Sequence, residues 1–132
     1  MRKKISAFTL TELLVVLVII GILALIALPD QSAVISKAKS QEAKLQLEHI
    51  YTLQKQFFYM NSKYSGNLEE IDFEQIKLST EGGNANYKLE IVDAGPTGFK
   101  ARATAIVDFD QDGSINVWEI DQDKNLKEVT KD

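Results

Sequence analysis

The chain has no cysteine in its 132 residues. That excludes a disulfide staple, a thiol nucleophile, a zinc–thiolate site and an iron–sulfur cluster. A small extracytoplasmic domain without disulfides takes its stability from packing or from a bound ion. Histidine is nearly absent: His49 is the only one. It stands beside an apolar helical stripe with no serine or cysteine partner, and reads as a packing or solvated residue. No Walker loop, dinucleotide fingerprint or nucleophile elbow occurs, so the expectation is a protein that is not an enzyme. Positive charge is in deficit, with 15 Lys and Arg against 19 Asp and Glu, for a net charge of −4. Arg2, Lys3 and Lys4 account for three of the positives, and beyond them the balance is 12 against 19, or −7. An acidic remainder of this kind is poorly suited to a phosphate backbone, and no nucleic-acid partner is expected.

Long apolar runs are confined to one place. Leu13 to Leu28 holds sixteen apolar residues in succession, counting Gly21, and extension back to Phe8 gives twenty-one. At a rise of 1.5 Å per residue that is roughly 31 Å of helix, the thickness of a hydrocarbon core. The basic cluster precedes it, which keeps the N-terminal end cytoplasmic. A secretory signal peptide would share this layout, with Ala24-Leu25-Ile26-Ala27 as a small-residue cleavage site. So would a plain signal anchor. Neither explains Glu12, because a carboxylate inside a span costs on the order of 2.5–3.5 kcal/mol and by default has a function and a partner.

The segment Ala7-Phe8-Thr9-Leu10-Thr11-Glu12-Leu13 resembles the prepilin peptidase site of type IV pilins and type II secretion pseudopilins. Ala7 stands where that family more usually has glycine. The resemblance implies a leader, residues 1–7, removed between Ala7 and Phe8 by a prepilin peptidase, with the new Phe8 amine then methylated. It implies a transmembrane and filament-core helix over 8–28, and an extracytoplasmic globular domain over 29–132. Gly21 and Pro29 match the positions where the family's helix is loosened in assembled filaments. Glu12 matches the acid used in assembly. The implied location is the inner membrane, single-pass, and then a periplasmic or surface filament. The implied partners are copies of the same chain through their N-terminal helices, the peptidase, an inner-membrane assembly platform with its ATPase, and minor pilins or pseudopilins. Within the family the major pseudopilin of a type II secretion system is the leading expectation, on the missing cysteine pair and the short acidic domain. A type IV pilin for adhesion, motility or DNA uptake is the alternative. A membrane-anchored calcium- or ligand-binding module is the alternative of another class.

Beyond Pro29 the pattern turns amphipathic. Ala43, Leu47, Ile50, Leu53, Phe57, Met60 and Tyr64 recur at steps of three or four, one apolar stripe on a helix. One helix is therefore expected from about Phe8 to Asn61, bent or loosened at Pro29. Residues 62–83 read as an irregular connection with a short QIKLS segment. Its acidic run, Glu69, Glu70, Asp72 and Glu74, reads as solvated surface. Strands follow: Tyr87, Leu89 and Ile91 alternate with charged residues, as do Phe99, Ala101, Ala103, Ala105 and Val107. Ile115 to Ile120 and Leu126 to Val129 are further strands, separated by turn-forming DAGPTG, DQDG and QDKN. Trp118 reads as core or interface. The expected fold is α+β, a long helix on a small antiparallel sheet whose alanines allow close approach.

Asp108, Asp110, Asp112, Asn116 and Glu119 occupy the ligand positions of a D-x-D-x-D-G-x5-E calcium loop, with Gly113 at the turn. The flanks alternate like strands rather than helices, and a strand points Asn116 and Glu119 to opposite faces. Two readings stand: a calcium site centred on the three aspartates, with Glu119 the weakest member, or an acidic β-turn. The resemblance to type II major pseudopilins, which often hold calcium in a C-terminal loop, implies the first.

Overall fold

A computed structural model describes residues 2–132. It divides into two compact units, one up to Gln31 and one from Ser32 to Asp132.

The first unit is essentially α1, Leu10–Ala27. Beyond Glu12 its residues are apolar on every side, and none of the helix is buried, so it is long and apolar enough to cross a membrane. Leu28 leaves the helix in an extended conformation at ψ 107°. The ring of Pro29 disfavours helical backbone at the preceding residue, and proline has no N–H to continue the ladder. The expected single helix is therefore two, broken over residues 28–31. Gly21 does not break α1. One glycine costs only about 1 kcal/mol in a helix interior, too little to stop a cooperative run of good formers.

The second unit begins with α2, Ser32–Asn61. Its buried residues are Ser36, Ser40, Ala43, Leu47, Ile50 and Gln54, spaced alternately by four and three. Of the expected stripe, Ala43, Leu47 and Ile50 are fully buried, while Leu53 and Phe57 pack half-buried against the core. Met60 is 78% exposed, because in the last turn of α2 it is Phe58 that packs against the core, stacked on Tyr64. Ser62 closes α2 in the left-handed region at φ 56°, its N–H bonded 2.8 Å from the Phe58 carbonyl. The chain then doubles back, and Tyr64 stacks on Phe58 with ring centroids 4.7 Å apart. Fully buried Gln54 pins this return: its amide donates to the Ser65 carbonyl at 2.7 Å and accepts the Ser65 N–H at 3.0 Å.

Four strands follow, β1 (Tyr87–Ala94), β2 (Phe99–Ala105), β3 (Val117–Asp121) and β4 (Leu126–Thr130), antiparallel and side by side in chain order. Leu89 pairs with Ala103, and Ala103 with Trp118. Ala101, Ala103 and Ala105 are buried under α2, where short side chains bring helix and sheet together. The QIKLS segment forms no strand. Leu78 and Ala85 make one isolated bridge, closed by a turn in which a Cβ on Gly83 would lie 1.9 Å from the Lys77 carbonyl oxygen. Gln75, just before it, lies along the free edge of β1. Its amide donates to the Tyr87 carbonyl at 3.2 Å and accepts the Leu89 N–H at 2.8 Å.

Candidate functional site

At the head of α1, Thr9 and Glu12 form a reciprocal cap. The Glu12 N–H donates to Thr9 Oγ1 at 3.2 Å, and the Thr9 N–H donates to Glu12 Oε2 at 3.0 Å. Two otherwise orphaned backbone donors are satisfied, and the carboxylate sits at the positive end of the helix dipole. A residue that is costly in an apolar helix thus has a partner within its own chain. Ala7 and Phe8 precede the helix in irregular backbone, both exposed, Phe8 at 82%. Such a peptide bond can be drawn into a protease cleft without unfolding a helix.

In the second unit, the turn between β2 and β3 is built by its own aspartates. Asp108 accepts N–H bonds from Gln111 at 2.6 Å and Gly113 at 2.8 Å. Asp110 accepts from the N–H of Asp112 at 3.1 Å, and Asp112 from that of Ser114 at 2.7 Å. Gln111 and Gly113 take positive φ, 62° and 95°, which only a short polar turn with glycine accommodates readily. Carboxylate oxygens of Asp108, Asp110, Asp112 and Asp132 lie within 4.8 Å of one another. Asp132 Oδ2 accepts from the Phe109 N–H at 3.2 Å and the Ser36 hydroxyl at 3.4 Å, while its Oδ1 is buried with no hydrogen-bond donor. Lost hydration pushes the Asp108 carboxyl up, but the Gly113 and Gln111 N–H groups outweigh it and hold it below its ordinary value. Asp110 is raised, first by lost hydration and then by the Asp112 and Asp132 carboxylates, against the one N–H it accepts.

Three of the five expected ligands are therefore together, and two are elsewhere. Asn116 is only 1% exposed. Its Oδ1 accepts the Tyr87 hydroxyl at 2.6 Å and the Trp118 indole at 2.8 Å, and its Nδ2 donates to Glu128 at 2.7 Å and the Thr130 carbonyl at 3.0 Å. It spends all its hydrogen-bonding capacity on tying β1, β3 and β4 together. Burial, the largest effect, pushes the Tyr87 phenol far up, so it stays a donor to Asn116. Glu119 lies on the sheet, bound by Arg102 Nη2 at 2.6 Å and Nε at 2.8 Å. Asp132 is the residue that stands with the three aspartates instead. Its spacing from the turn carries no signal, since only the β3–β4 hairpin brings it back. All-carboxylate oxygens and one donorless buried oxygen fit a hard divalent cation.

The profile of the prokaryotic N-terminal methylation motif matches residues 2–28. The chain is also similar to "Type IV major pilin protein PilA" of Myxococcus xanthus (strain DK1622), 47% identical over 66 residues. That match covers 50% of this chain and 30% of the relative, so it spans less than a third of the relative's length.

Proposed function

We propose, from a chain that is type IV pilin-like, that it is a structural subunit of a filament assembled through α1. The observation that carries this is Glu12, held in a cap at the head of a helix with no buried residue. An apolar helix of this kind needs an apolar surround, lipid before assembly and neighbouring helices after it. Cleavage between Ala7 and Phe8 creates an amine four residues before Glu12. In the filament that amine neutralises Glu12 of an adjacent copy, which offsets the desolvation of both charges. It also sets the stagger, since any other leaves a buried charge unpaired. Removal of residues 1–7, methylation of Phe8, anchorage in the inner membrane with the second unit outside the cytoplasm, and handling by a peptidase, an ATPase-driven platform and minor subunits belong to this reading. No catalytic step is assigned to the chain.

Two finer readings have their own support. A surface pilus is favoured by similarity to a major pilin over 66 residues. A type II secretion pseudopilus is favoured by the absent cysteines and the acidic turn. In that turn, Asp108, Asp110, Asp112 and Asp132 would hold calcium, which would neutralise their repulsion.

Mass spectrometry of the mature protein tests the processing: an N-methylated Phe8 at the new N-terminus is expected, and a start near Asp30 would restore the signal-peptide reading. Glu12→Ala should insert into membranes normally yet give no ordered filament. Normal filament yield from that variant would remove Glu12 as the register device. Filaments shed from cells by shearing indicate a pilus, and filaments confined beneath the outer surface a pseudopilus.

A further inference from the structure

The four carboxylates of the acidic cluster are not placed in the same way. Asp108, Asp110 and Asp112 are fixed by the turn they build, through N–H bonds inside residues 108–114. Asp132 lies beyond β4, outside any regular element, and the donors that fix it come from elsewhere. The Ser36 hydroxyl, on α2 and 96 residues away, reaches Asp132 Oδ2 at 3.4 Å and its main-chain oxygen at 3.3 Å, sharing one proton between them. The Phe109 N–H donates to the same Oδ2 at 3.2 Å. Ser36 is 6% exposed and belongs to the face that α2 buries. A buried hydroxyl on that face is costly unless it has a partner, and Asp132 is that partner.

One atom of this arrangement is left over. Asp132 Oδ1 is buried without a donor. Lys37 and Lys131 line the same groove as Asp132, yet among the described residues neither is in an ion pair with it. The carboxylate oxygens of Asp108, Asp110, Asp112 and Asp132 lie within 4.8 Å of one another. Oxygens at about 2.3–2.6 Å from one calcium ion lie at most about 4.6–5.2 Å apart, so that spread requires no opening of the turn.

We propose that Ser36 is a positioning residue for the cation of the acidic turn: from α2 it holds Asp132 by Oδ2 and leaves Oδ1 for the ion. One ion then clasps the β2–β3 turn, the segment after β4 and helix α2 together. This inference rests on the calcium reading above and gives it a residue that never touches the ion. A ligand fixed before the ion arrives need not be ordered by it, so the helix hydroxyl raises affinity without ligating. By reciprocity the bound ion tightens the contact between Asp132 and Ser36.

The test is calcium titration of the full chain in detergent, by calorimetry, as a double-mutant cycle of Ser36→Ala and Asp132→Ala. Ser36→Ala should weaken calcium binding by about tenfold, the lower end of what such outer partners contribute. In the Asp132→Ala chain, which keeps the three turn aspartates, the same change should have no further effect, because the hydroxyl has no ligand left to position. Thermal melts separate this from a packing role. In chelator Ser36→Ala should melt as the wild type does. It should fall behind only with calcium, and that gap should vanish when Asp132 is also replaced. Circular dichroism checks that each variant keeps its fold. Wild-type affinity in Ser36→Ala, equal losses in both backgrounds, or the same melting deficit with and without calcium would each overturn the positioning role and leave the calcium reading standing. A wild-type chain that binds no calcium would overturn the calcium reading, and the role with it.

Discussion

Asn116→Asp separates the two assignments of this residue, ligand and structural hub, because the change keeps the shape and exchanges a donor for a charge. A cation ligand would survive or improve. A hub would not: the variant loses the bonds that Nδ2 of Asn116 donates to Glu128 and to the Thr130 carbonyl, and sets a second carboxylate against Glu128. A hydrogen bond to a charged acceptor is worth about 1.5–3 kcal/mol and a neutral one about 0.5–1.5. Glu128 is exposed, which argues for the low end, and the newly charged Oδ atoms would bind the Tyr87 hydroxyl and Trp118 indole more tightly. A net loss of about 2–3 kcal/mol follows, and for a unit the size of Ser32–Asp132 this is roughly 10–20 °C of melting temperature. The assay is thermal unfolding of the full chain in detergent, followed by the fluorescence of Trp118, the only tryptophan, in chelator and in calcium. The deficit should appear in both and shrink as pH falls into the carboxylate range, where one proton shared by the introduced carboxylate and Glu128 restores a donor. An unchanged melt in chelator with a larger calcium increment would refute the hub and make residue 116 a ligand.

Other outcomes follow from the same geometry. Leu47→Ala, at a position with no exposed surface, should cost about 2–5 kcal/mol, seen as a lower urea midpoint with unchanged slope. Asp110→Asn should raise the melting temperature in chelator near neutral pH, because the fold raises this carboxyl and so disfavours its charged form. The wild-type penalty is absent below the unfolded carboxyl range and grows as pH rises through the raised value, so the two melts should converge in acid. The same variant should lose any calcium response. Thr9→Val removes one arm of the cap at Glu12 and about 1 kcal/mol of helix-end stability, so amide exchange in the first turn of α1 should quicken by roughly fivefold. Unchanged exchange would mean that the cap contributes nothing there.

What was legible in the sequence was whatever depends on period. Alternation located β1 and β2, and the apolar steps at Ala43, Leu47 and Ile50 located the buried face of α2. The break at Pro29 was legible as a bend but came out as two helices, because the restriction falls on Leu28 as well as on the proline. The buried stripe runs on at unbroken helical spacing through Ser36, Ser40 and Gln54, which hydrophobicity alone overlooks because polar side chains can be buried once a partner is supplied. At the head of α1, Glu12 declared itself by chemistry out of place, while its cap with Thr9 went unread although the T-x-x-E spacing carries that signal. At the acidic turn, the local pattern correctly gathered three aspartates. It misplaced Asn116 and Glu119, since position in a loop template says nothing about which residues a sheet will claim. Asp132 depends on a hairpin closing across the molecule, and no linear spacing carries that.

Gln75 gives the sheet something the filament reading makes valuable. A four-stranded meander has two free edges, and each is a template for adding a foreign strand. Along β1 the Gln75 side chain already occupies the Tyr87 carbonyl and the Leu89 N–H, as a neighbouring strand would. The β4 edge carries exposed Lys127 and Glu128, with Lys131 just beyond. In the filament reading proposed above, copies held in a membrane before assembly are crowded in two dimensions. That is the setting in which sheets stack into irreversible aggregates. A single amide laid along one edge and charge along the other disfavour that stacking, and leave α1 as the surface through which copies join in that reading.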